Sequence, residues 1–297
     1  MLEERELYHM SIIKLSLKWS MLIALILFMF ISSDQSVLAK KQKTLGGEKN
    51  GCLALNYHRV REDTWIDKLL SAFSNSKELK IYSVTDTQFE SHIKWLKGKN
   101  AQFLSLDEFI HYKEKGKFPK NCVWLNFDDM DQSIYENAFP IMKKYDVQGT
   151  GFVITDHVGD PDFHNIRMSP KKELLKMKNS GLWDFASHTH DMHTMKKEKS
   201  KLVLYAEKGN IKQDIDKSTN YIKDELDGNE QAIAYPYGQA NDKLIKQLDN
   251  DTSIKYGFTL EEKAVVPDSD NFYIPRVMVS DDAFNKLVKK WEGFNHE

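Results

Sequence analysis

The chain has 297 residues, of which 41% are hydrophobic and 29% charged, and its formal net charge is −2. This length allows one large domain or two small ones, and the balance is that of a globular protein with a sizeable core. A near-neutral charge excludes the basic footprint typical of nucleic-acid-binding proteins, so we expect no nucleic-acid partner.

The N-terminus carries an unbroken apolar run, Met21–Ile31, which is preceded by Lys14 and Lys18. Small or β-branched residues follow at Val37-Leu38-Ala39. This pattern predicts a secretory signal over residues 1–39, because the run is shorter than a membrane span requires. We expect export to the cell surface or the medium, with cleavage favoured over retention as a membrane or envelope anchor.

The start of the chain leaves one alternative open. Its first residues are rich in glutamate, which fits a signal poorly, so translation from Met10 is a second hypothesis. Residues 40–51 are polar and contain Gly46-Gly47, which indicates a linker. The remaining residues, 52–297, are predicted to form one domain.

Strand and helix patterns alternate along this domain. The predicted strands are Leu53–Tyr57, Gln102–Leu104, Cys122–Phe127, Gly151–Ile154, Trp183–Ser187, Ala232–Tyr235, Tyr256–Thr259 and Ile274–Val279. Helices are predicted after the capping boxes Thr85/Gln88 and Ser105/Glu108, around Pro140, from Pro170 as first residue to Gly181, over Ile211–Ile222 as one helix, from Asp242, and around Phe284. The alternation indicates a parallel α/β architecture, whose sites lie at the carboxyl ends of strands.

Two adjacent carboxylates, Asp128 and Asp129, follow the buried strand Cys122–Phe127 directly. Like charges this close do not both ionise cheaply in a dry site, so their roles must be separated. A metal ion held by one of them would leave the other free as a base. The alternative is an ordinary turn capped by Asp-Asp.

Three histidines, His188, His190 and His193, follow the strand Trp183–Ser187. Imidazole nitrogens suit zinc and similar divalent ions, and two histidines with one carboxylate leave room for water. His188 and His193 are five residues apart, about 140° around a regular helix, so a helix would not aim both at one ion. A strand end followed by a loop would.

These motifs resemble those of a known family. Phe127-Asp128-Asp129 and the pair His188 and His193 are similar to the first two motifs of the polysaccharide deacetylases, carbohydrate esterase family 4. From about Ala54 to the C-terminus, the chain resembles most the biofilm poly-N-acetylglucosamine deacetylases of the intercellular-adhesin type. The segments that carry this likeness are Leu55–Arg59, Trp183–Phe185, Tyr235–Gly238 and Ile274–Arg276.

The resemblance implies an irregular (β/α)₇ barrel with an open groove, and metal-dependent removal of N-acetyl groups from poly-β-1,6-N-acetyl-D-glucosamine. The implied metal ligands are Asp129, His188 and His193. Asp128 would be the base that deprotonates the attacking water, and His58 the acid that protonates the departing amine. The backbone N–H of Tyr237 would complete the oxyanion site.

The chain departs from the commoner family pattern in three ways. Its paired histidines are five apart rather than four, and its acid histidine comes early, both as in the adhesin-type enzymes. The arginine that steadies the base is replaced by Ala234, and Arg59 or Arg276 are its candidate substitutes. We interpret His190 as non-ligating and Asp191 as a possible support for the ligands.

The two cysteines, Cys52 and Cys122, lie six residues before His58 and Asp128. If both strands run to the same barrel mouth, the two sulfurs lie at one level, on neighbouring strands. A disulfide between them is possible in an exported protein. We expect buried free thiols instead, because neighbouring parallel strands rarely give good bridge geometry.

The rival hypotheses concern the polymer and the catalytic competence. A deacetylase of chitin-like or peptidoglycan glycan has the same chemistry, and a catalytically silent glycan-binding protein has the same fold. A glycosidase fits less well, because its two carboxylates must flank a bond. Zinc is the expected metal, with nickel, cobalt or iron as alternatives.

Overall fold

A computed structural model describes residues 44–64 and 81–294. Its strands are β1 (Cys52–Tyr57), β2 (Arg59–Arg61), β3 (Ser83–Thr85), β4 (Gln102–Phe103), β5 (Cys122–Phe127), β6 (Gly149–Val153), β7 (Trp183–Ser187), β8 (Met195–Lys196), β9 (Lys199–Ser200), β10 (Asn229–Ala234), β11 (Tyr256–Phe258) and β12 (Val277–Met278). The main sheet is parallel, with the order β11-β10-β7-β6-β5-β1-β12 and β4 paired to β5. Strands β2 and β3 form a small parallel pair, and β8 and β9 an antiparallel one.

The helices of the described residues are α1 (Asp86–Gly98), α2 (Leu106–Glu114), α3 (Phe139–Tyr145), α4 (Lys171–Lys178), α5 (Lys201–Ala206), α6 (Lys212–Leu226), α7 (Asp242–Asp251) and α8 (Asp281–Lys286). A π-helical turn, Ile134–Ala138, leads into α3. Both predicted capping boxes are present, at the starts of α1 and α2. Each one satisfies backbone N–H groups that a helix start leaves without a partner.

The sheet curls, and one segment joins its two ends. Ile274 forms a parallel bridge with Phe258 of β11, while Val277 of β12 pairs with Leu55 of β1. Residues 274–278 therefore run between the first and last strands of the curl. The predicted barrel-type α/β fold is confirmed, and Arg276 lies in the segment that closes it.

Side chains of β1 and β5 alternate between two layers, as the period of a strand requires. Leu53, Leu55 and Tyr57 pack in the hydrophobic cluster that contains α1, whereas Cys52 and Ala54 belong to a second cluster built around Trp124, Phe152 and Phe258. The inner column of β1 is thus Cys52, Ala54, Asn56 and then His58. That of β5 is Cys122, Trp124, Asn126 and then Asp128.

The expectation of free thiols is wrong, because Cys52 and Cys122 form a disulfide. They stand opposite each other in the β1–β5 register, and their Cα atoms are 4.6 Å apart. This separation lies within the range that a bridge tolerates. The prediction that the two cysteines lie at one level was correct. The general rule that neighbouring parallel strands rarely allow a disulfide does not hold at this directly paired position.

Three other differences concern the helices and the linker. Pro170 is the N-cap of α4 rather than its first residue. The helix predicted over Ile211–Ile222 is α6, but the β8–β9 hairpin and α5 before it were not predicted. Leu45, in the predicted linker, is buried, and its carbonyl accepts the N–H of Ala264 at 2.8 Å.

The predicted signal over residues 1–39 lies outside the described residues. Within residues 44–64 and 81–294, helices long and apolar enough to cross a membrane are absent.

Candidate active site

The predicted site residues gather at the carboxyl edge of the sheet, around a cavity of about 400 Å³. Its lining residues are His58, Arg59, Tyr82, Asp129, Phe163, His164, Ile166, His188, His193, Met195, Tyr237 and Leu260. Asp128 and Arg276 lie beneath this cavity and are almost fully buried, with exposed fractions of 1% and 0%. The site therefore has a partly apolar wall above a charged floor.

An unusual backbone brings both carboxylates of the Asp-Asp pair to this site. Asp128 continues the inner column of β5, so in extended backbone its neighbour would point to the other layer. Asp129 and Met130 instead adopt φ values of 68° and 62°. Residues with side chains rarely occupy this left-handed region, and such conformations concentrate at functional sites. The turn re-aims the Asp129 carboxylate into the cavity.

Asp129, His188 and His193 offer three ligand atoms that all lie within 4.8 Å of one another. The Nε2 atoms of His188 and His193 are 3.4 and 3.2 Å from Oδ1 of Asp129. This oxygen is buried and forms no hydrogen bond within the described part of the chain. Buried polar atoms normally have partners, and a cation would supply the missing one. The donor set, one carboxylate and two imidazoles, fits a divalent metal ion.

The two histidines differ in their hydrogen bonds and in the direction in which their pKa values are shifted. Nδ1 of His188 donates to the carbonyl oxygen of Ala234 at 2.8 Å, which directs its Nε2 at Asp129. Burial lowers the pKa of His188, but the charges of Asp128 and Asp129 outweigh it and raise that pKa above its usual value. For His193, burial dominates and lowers the pKa to about 4.

Arg276 holds the carboxylate of Asp128 with two hydrogen bonds, 2.6 Å to Oδ1 and 2.9 Å to Oδ2. The guanidinium also donates to Oδ1 of Asn126 at 2.9 Å and to the carbonyl of Thr259 at 3.1 Å. Burial by itself would raise the pKa of Asp128, but the charge of Arg276 holds it below its usual range. Of the two arginines considered as substitutes for the motif arginine, Arg276 makes the contact.

His58 lies on the other side of this carboxylate. Its Nε2 atom is 3.9 Å from Oδ2 of Asp128, and its ring stands edge-on to Tyr82 at 5.1 Å. Burial lowers the pKa of His58 despite the two nearby carboxylates. The charged imidazolium is thus disfavoured at this buried position.

Tyr237 occupies the tight turn Pro236–Gly238 with φ 59°, again in the left-handed region. Its ring stacks on His193 with centroids 4.8 Å apart. Burial, with a contribution from the charge of Asp129, raises the pKa of the Tyr237 phenol to about 12. The turn thus lies directly beside the candidate metal ligands Asp129, His188 and His193, where an oxyanion donor would be required.

His190 and Asp191 point away from this site. Asp191 lies 2.8 Å from Nζ of Lys201 and 3.4 Å from Nε2 of His157, and His190 lies 3.3 Å from a carboxylate oxygen of Asp156. His190, Asp191 and Lys201 line a second, polar cavity of about 600 Å³. Among the described residues, Asp191 makes no contact that would support its predicted role behind the candidate metal ligands. Arg59 lines the catalytic cavity.

Three polar residues that support the site, Asn56, Asn126 and Asp214, were not predicted from the sequence. Asn56 donates to Oδ1 of Asn126 at 3.0 Å, and both stand two residues before His58 or Asp128 on the inner columns. The period of two could have identified this pair. Asp214 of α6 accepts the N–H groups of His190 and Asp191 at 2.9 and 2.8 Å. Nothing local marks Asp214, because its partners are more than twenty residues away.

The sequence model of the polysaccharide deacetylases matches residues 115–256 of the chain. That range includes Asp128, Asp129 and both predicted metal-binding histidines, whereas His58 and Arg276 lie outside it. The candidate site therefore combines residues within the matched range with His58, which precedes it, and Arg276, which follows it.

Similarities to whole proteins extend this match over most of the chain. A poly-β-1,6-N-acetyl-D-glucosamine N-deacetylase of Staphylococcus epidermidis is 54% identical, over 87% of this chain and 89% of its own. A protein of the same name from Staphylococcus aureus is 51% identical, over 86% and 88%. The solved structure of IcaB from Ammonifex degensii superposes with a TM-score of 0.69 at 25% identity, covering 84% of this chain and all of that one.

Proposed function

The chain belongs to the polysaccharide deacetylase family, and on that basis we propose that it removes N-acetyl groups from poly-β-1,6-N-acetyl-D-glucosamine by metal-dependent hydrolysis. The names of the staphylococcal relatives support this polymer. One observation carries the chemistry: two imidazoles converge on the unbonded Oδ1 of Asp129, directly above the buried pair Asp128 and Arg276.

Asp129, His188 and His193 would hold one divalent cation. Zinc is favoured by these ligands, with nickel, cobalt or iron as alternatives. Bound there, the cation would polarise the amide carbonyl of the substrate and lower the pKa of a water molecule.

Asp128 accepts the proton of the attacking water as its oxygen adds to the amide carbon. The charge of Arg276 holds the pKa of Asp128 below its usual range, which favours the ionised carboxylate and makes it a weak base. Asp128 passes this proton on to His58, whose Nε2 is 3.9 Å away. His58 then delivers it to the amine nitrogen as the carbon–nitrogen bond breaks.

The backbone N–H of Tyr237 would donate to the oxygen that becomes negative during the reaction. A donor held in place by a tight turn needs no reorganisation at that moment, which is the usual source of oxyanion stabilisation. The Pro236–Gly238 turn and the stacking of Tyr237 on His193 supply this rigidity.

Each turnover replaces a neutral acetamide by an amine that is cationic near neutral pH. A neutral polymer thereby becomes positively charged and is better retained on an anionic cell envelope. Such a role requires the enzyme outside the cytoplasm. We therefore propose export through residues 1–39, whose apolar run and basic flank have the pattern of a signal segment.

Acetate release from an oligomer of β-1,6-N-acetylglucosamine tests this proposal. Protein lacking residues 1–39 is assayed after metal removal, after metal restoration, and as the variants Asp128→Asn and Asp156→Asn. We expect release that requires metal, is abolished in Asp128→Asn, and is retained in Asp156→Asn, whose carboxylate lies outside the catalytic cavity.

The alternative outcomes separate the rival functions. Release only from chitin or peptidoglycan oligomers would keep the chemistry and reject the polymer. Binding of the oligomer without release, whatever metal is supplied, would favour a silent glycan-binding protein.

A further inference from the structure

The two histidines of the proposed metal site are held in different ways. His188 is fixed twice, by its backbone N–H to the carbonyl of Val153 at 2.9 Å and by its Nδ1 to the carbonyl of Ala234. Nδ1 of His193 is buried and forms no hydrogen bond with the described residues. The position of the His193 imidazole therefore depends on the backbone that leads to it and on its stacking against Tyr237.

That backbone is the loop 189–193, and helix α6 anchors it. The two carboxylate oxygens of Asp214 accept the N–H groups of His190 and Asp191 at 2.9 and 2.8 Å. One turn later on α6, Oγ of Ser218 lies 2.7 Å from Oγ of Ser187, which accepts the N–H of Thr189 at 3.1 Å. Residues four apart on a helix lie on one face, so a single face of α6 holds both the start and the middle of the loop.

The loop needs this anchorage because of its conformation. Thr189 has φ 74°, a strained value for a β-branched residue, and it persists only where surrounding contacts impose it. Two consecutive N–H groups that point the same way match the two oxygens of one carboxylate. Asp214 also lies in the first turn of α6, where the helix dipole favours negative charge.

We propose that Asp214 is a positioning residue of the metal site, which presets the loop so that His193 meets the same ion as His188 across a five-residue spacing. This inference rests on the proposed metal binding by these histidines. Asp214 touches neither the metal ligands' side chains nor the substrate cavity. Its expected effect is on metal affinity and on the geometry of the bound ion.

The test measures metal binding by the whole domain. Zn²⁺ and Co²⁺ affinities are determined by chelator competition, and the visible spectrum of the Co²⁺-loaded protein is recorded. The variants are Asp214→Ala, Asp214→Asn and, as a matched control, Asp216→Asn. Asp216 lies on the same helix but pairs with exposed Lys212.

We expect Asp214→Ala to weaken metal binding by about 10–100-fold, as loss of a supporting contact typically does, and to change the Co²⁺ spectrum. Asp214→Asn retains one oxygen acceptor and should lose less. Asp216→Asn should match the wild type. The thermal midpoint of each metal-free variant separates weakened binding from general instability, and Asp214→Asn remains informative if Asp214→Ala does not fold.

The possible failures are distinguishable. Wild-type affinity and an unaltered Co²⁺ spectrum in both Asp214 variants would overturn this inference and leave the proposed function intact. A wild-type protein that binds neither ion, or binds equally well after His193→Ala, would refute the metal site itself.

Discussion

The disulfide between Cys52 and Cys122 should contribute a large part of the stability of this domain. It closes a loop with a sequence separation of 70 residues. The chain-entropy relation for a loop of this length predicts that the bridge stabilises the folded state by about 4 kcal/mol. Since whole domains are stable by roughly 5–15 kcal/mol, breaking the bridge should leave a marginal protein.

The measurement is equilibrium unfolding in urea, followed by tryptophan fluorescence. Oxidised wild type is compared with reduced wild type and with Cys52→Ala/Cys122→Ala, the latter with and without reductant. Reduction should lower the free energy of unfolding of the wild type by about 4 kcal/mol. It should leave the double variant unchanged, which shows that the reductant acts on this bridge alone.

Catalysis should survive the loss of the bridge in molecules that remain folded. Cys52 and Cys122 are six residues from His58 and Asp128, about 20 Å along a strand. A loss of less than about 1 kcal/mol on reduction would refute the loop-closure reasoning. Inactivation of fully folded reduced protein would refute the separation of bridge and site.

Two further predictions concern buried charges. Arg276→Met should lower the free energy of unfolding by about 3–5 kcal/mol, because it leaves Asp128 buried and unpaired. The double variant Arg276→Met/Asp128→Asn should recover much of this lost stability, measured by unfolding in urea. Equal stability of the single and the double variant would contradict the pairing of Arg276 with Asp128. Burial lowers the pKa of His92 to about 4. The unfolded chain therefore binds more protons than the folded chain between pH 6.5 and 4. Ionisation of His92 costs nothing above pH 6.5 and lowers the free energy of unfolding by up to about 3 kcal/mol on acidification to pH 4. His92→Phe should flatten that part of the pH–stability curve, whereas an unchanged slope would exclude this histidine.

Much of the fold was predictable from local patterns. The buried runs at β1, β5 and β7, the capping boxes of α1 and α2, and the glycine and proline signals between them depend on neighbours within a few residues. The same holds for the candidate residues at strand ends, because parallel strands present their carboxyl ends at one edge of a sheet. Asp128 and Asp129 were found in this way, whereas the role predicted for His58 came from the resemblance to the deacetylase family.

The segment after His193 was predicted less well. Its charged residues give a weak pattern, and the hairpin β8–β9 and α5 were not predicted. Such short elements are stabilised by tertiary contacts rather than by their own propensity. An example is the N–H of Ser200, which donates to the side chain of Gln239 at 2.7 Å.

Contacts between distant parts of the chain had no local signature. Arg276 and Arg59 were equal candidates for the partner of Asp128, and the 148-residue separation of Arg276 from Asp128 is bridged only by the closure of the barrel. Asp214 was not a candidate at all. Strand periodicity and capping depend on near neighbours and so can be read along the chain, whereas register and closure depend on which strands pair. Those pairings decided the disulfide, the partner of the base and the anchor of the histidine loop.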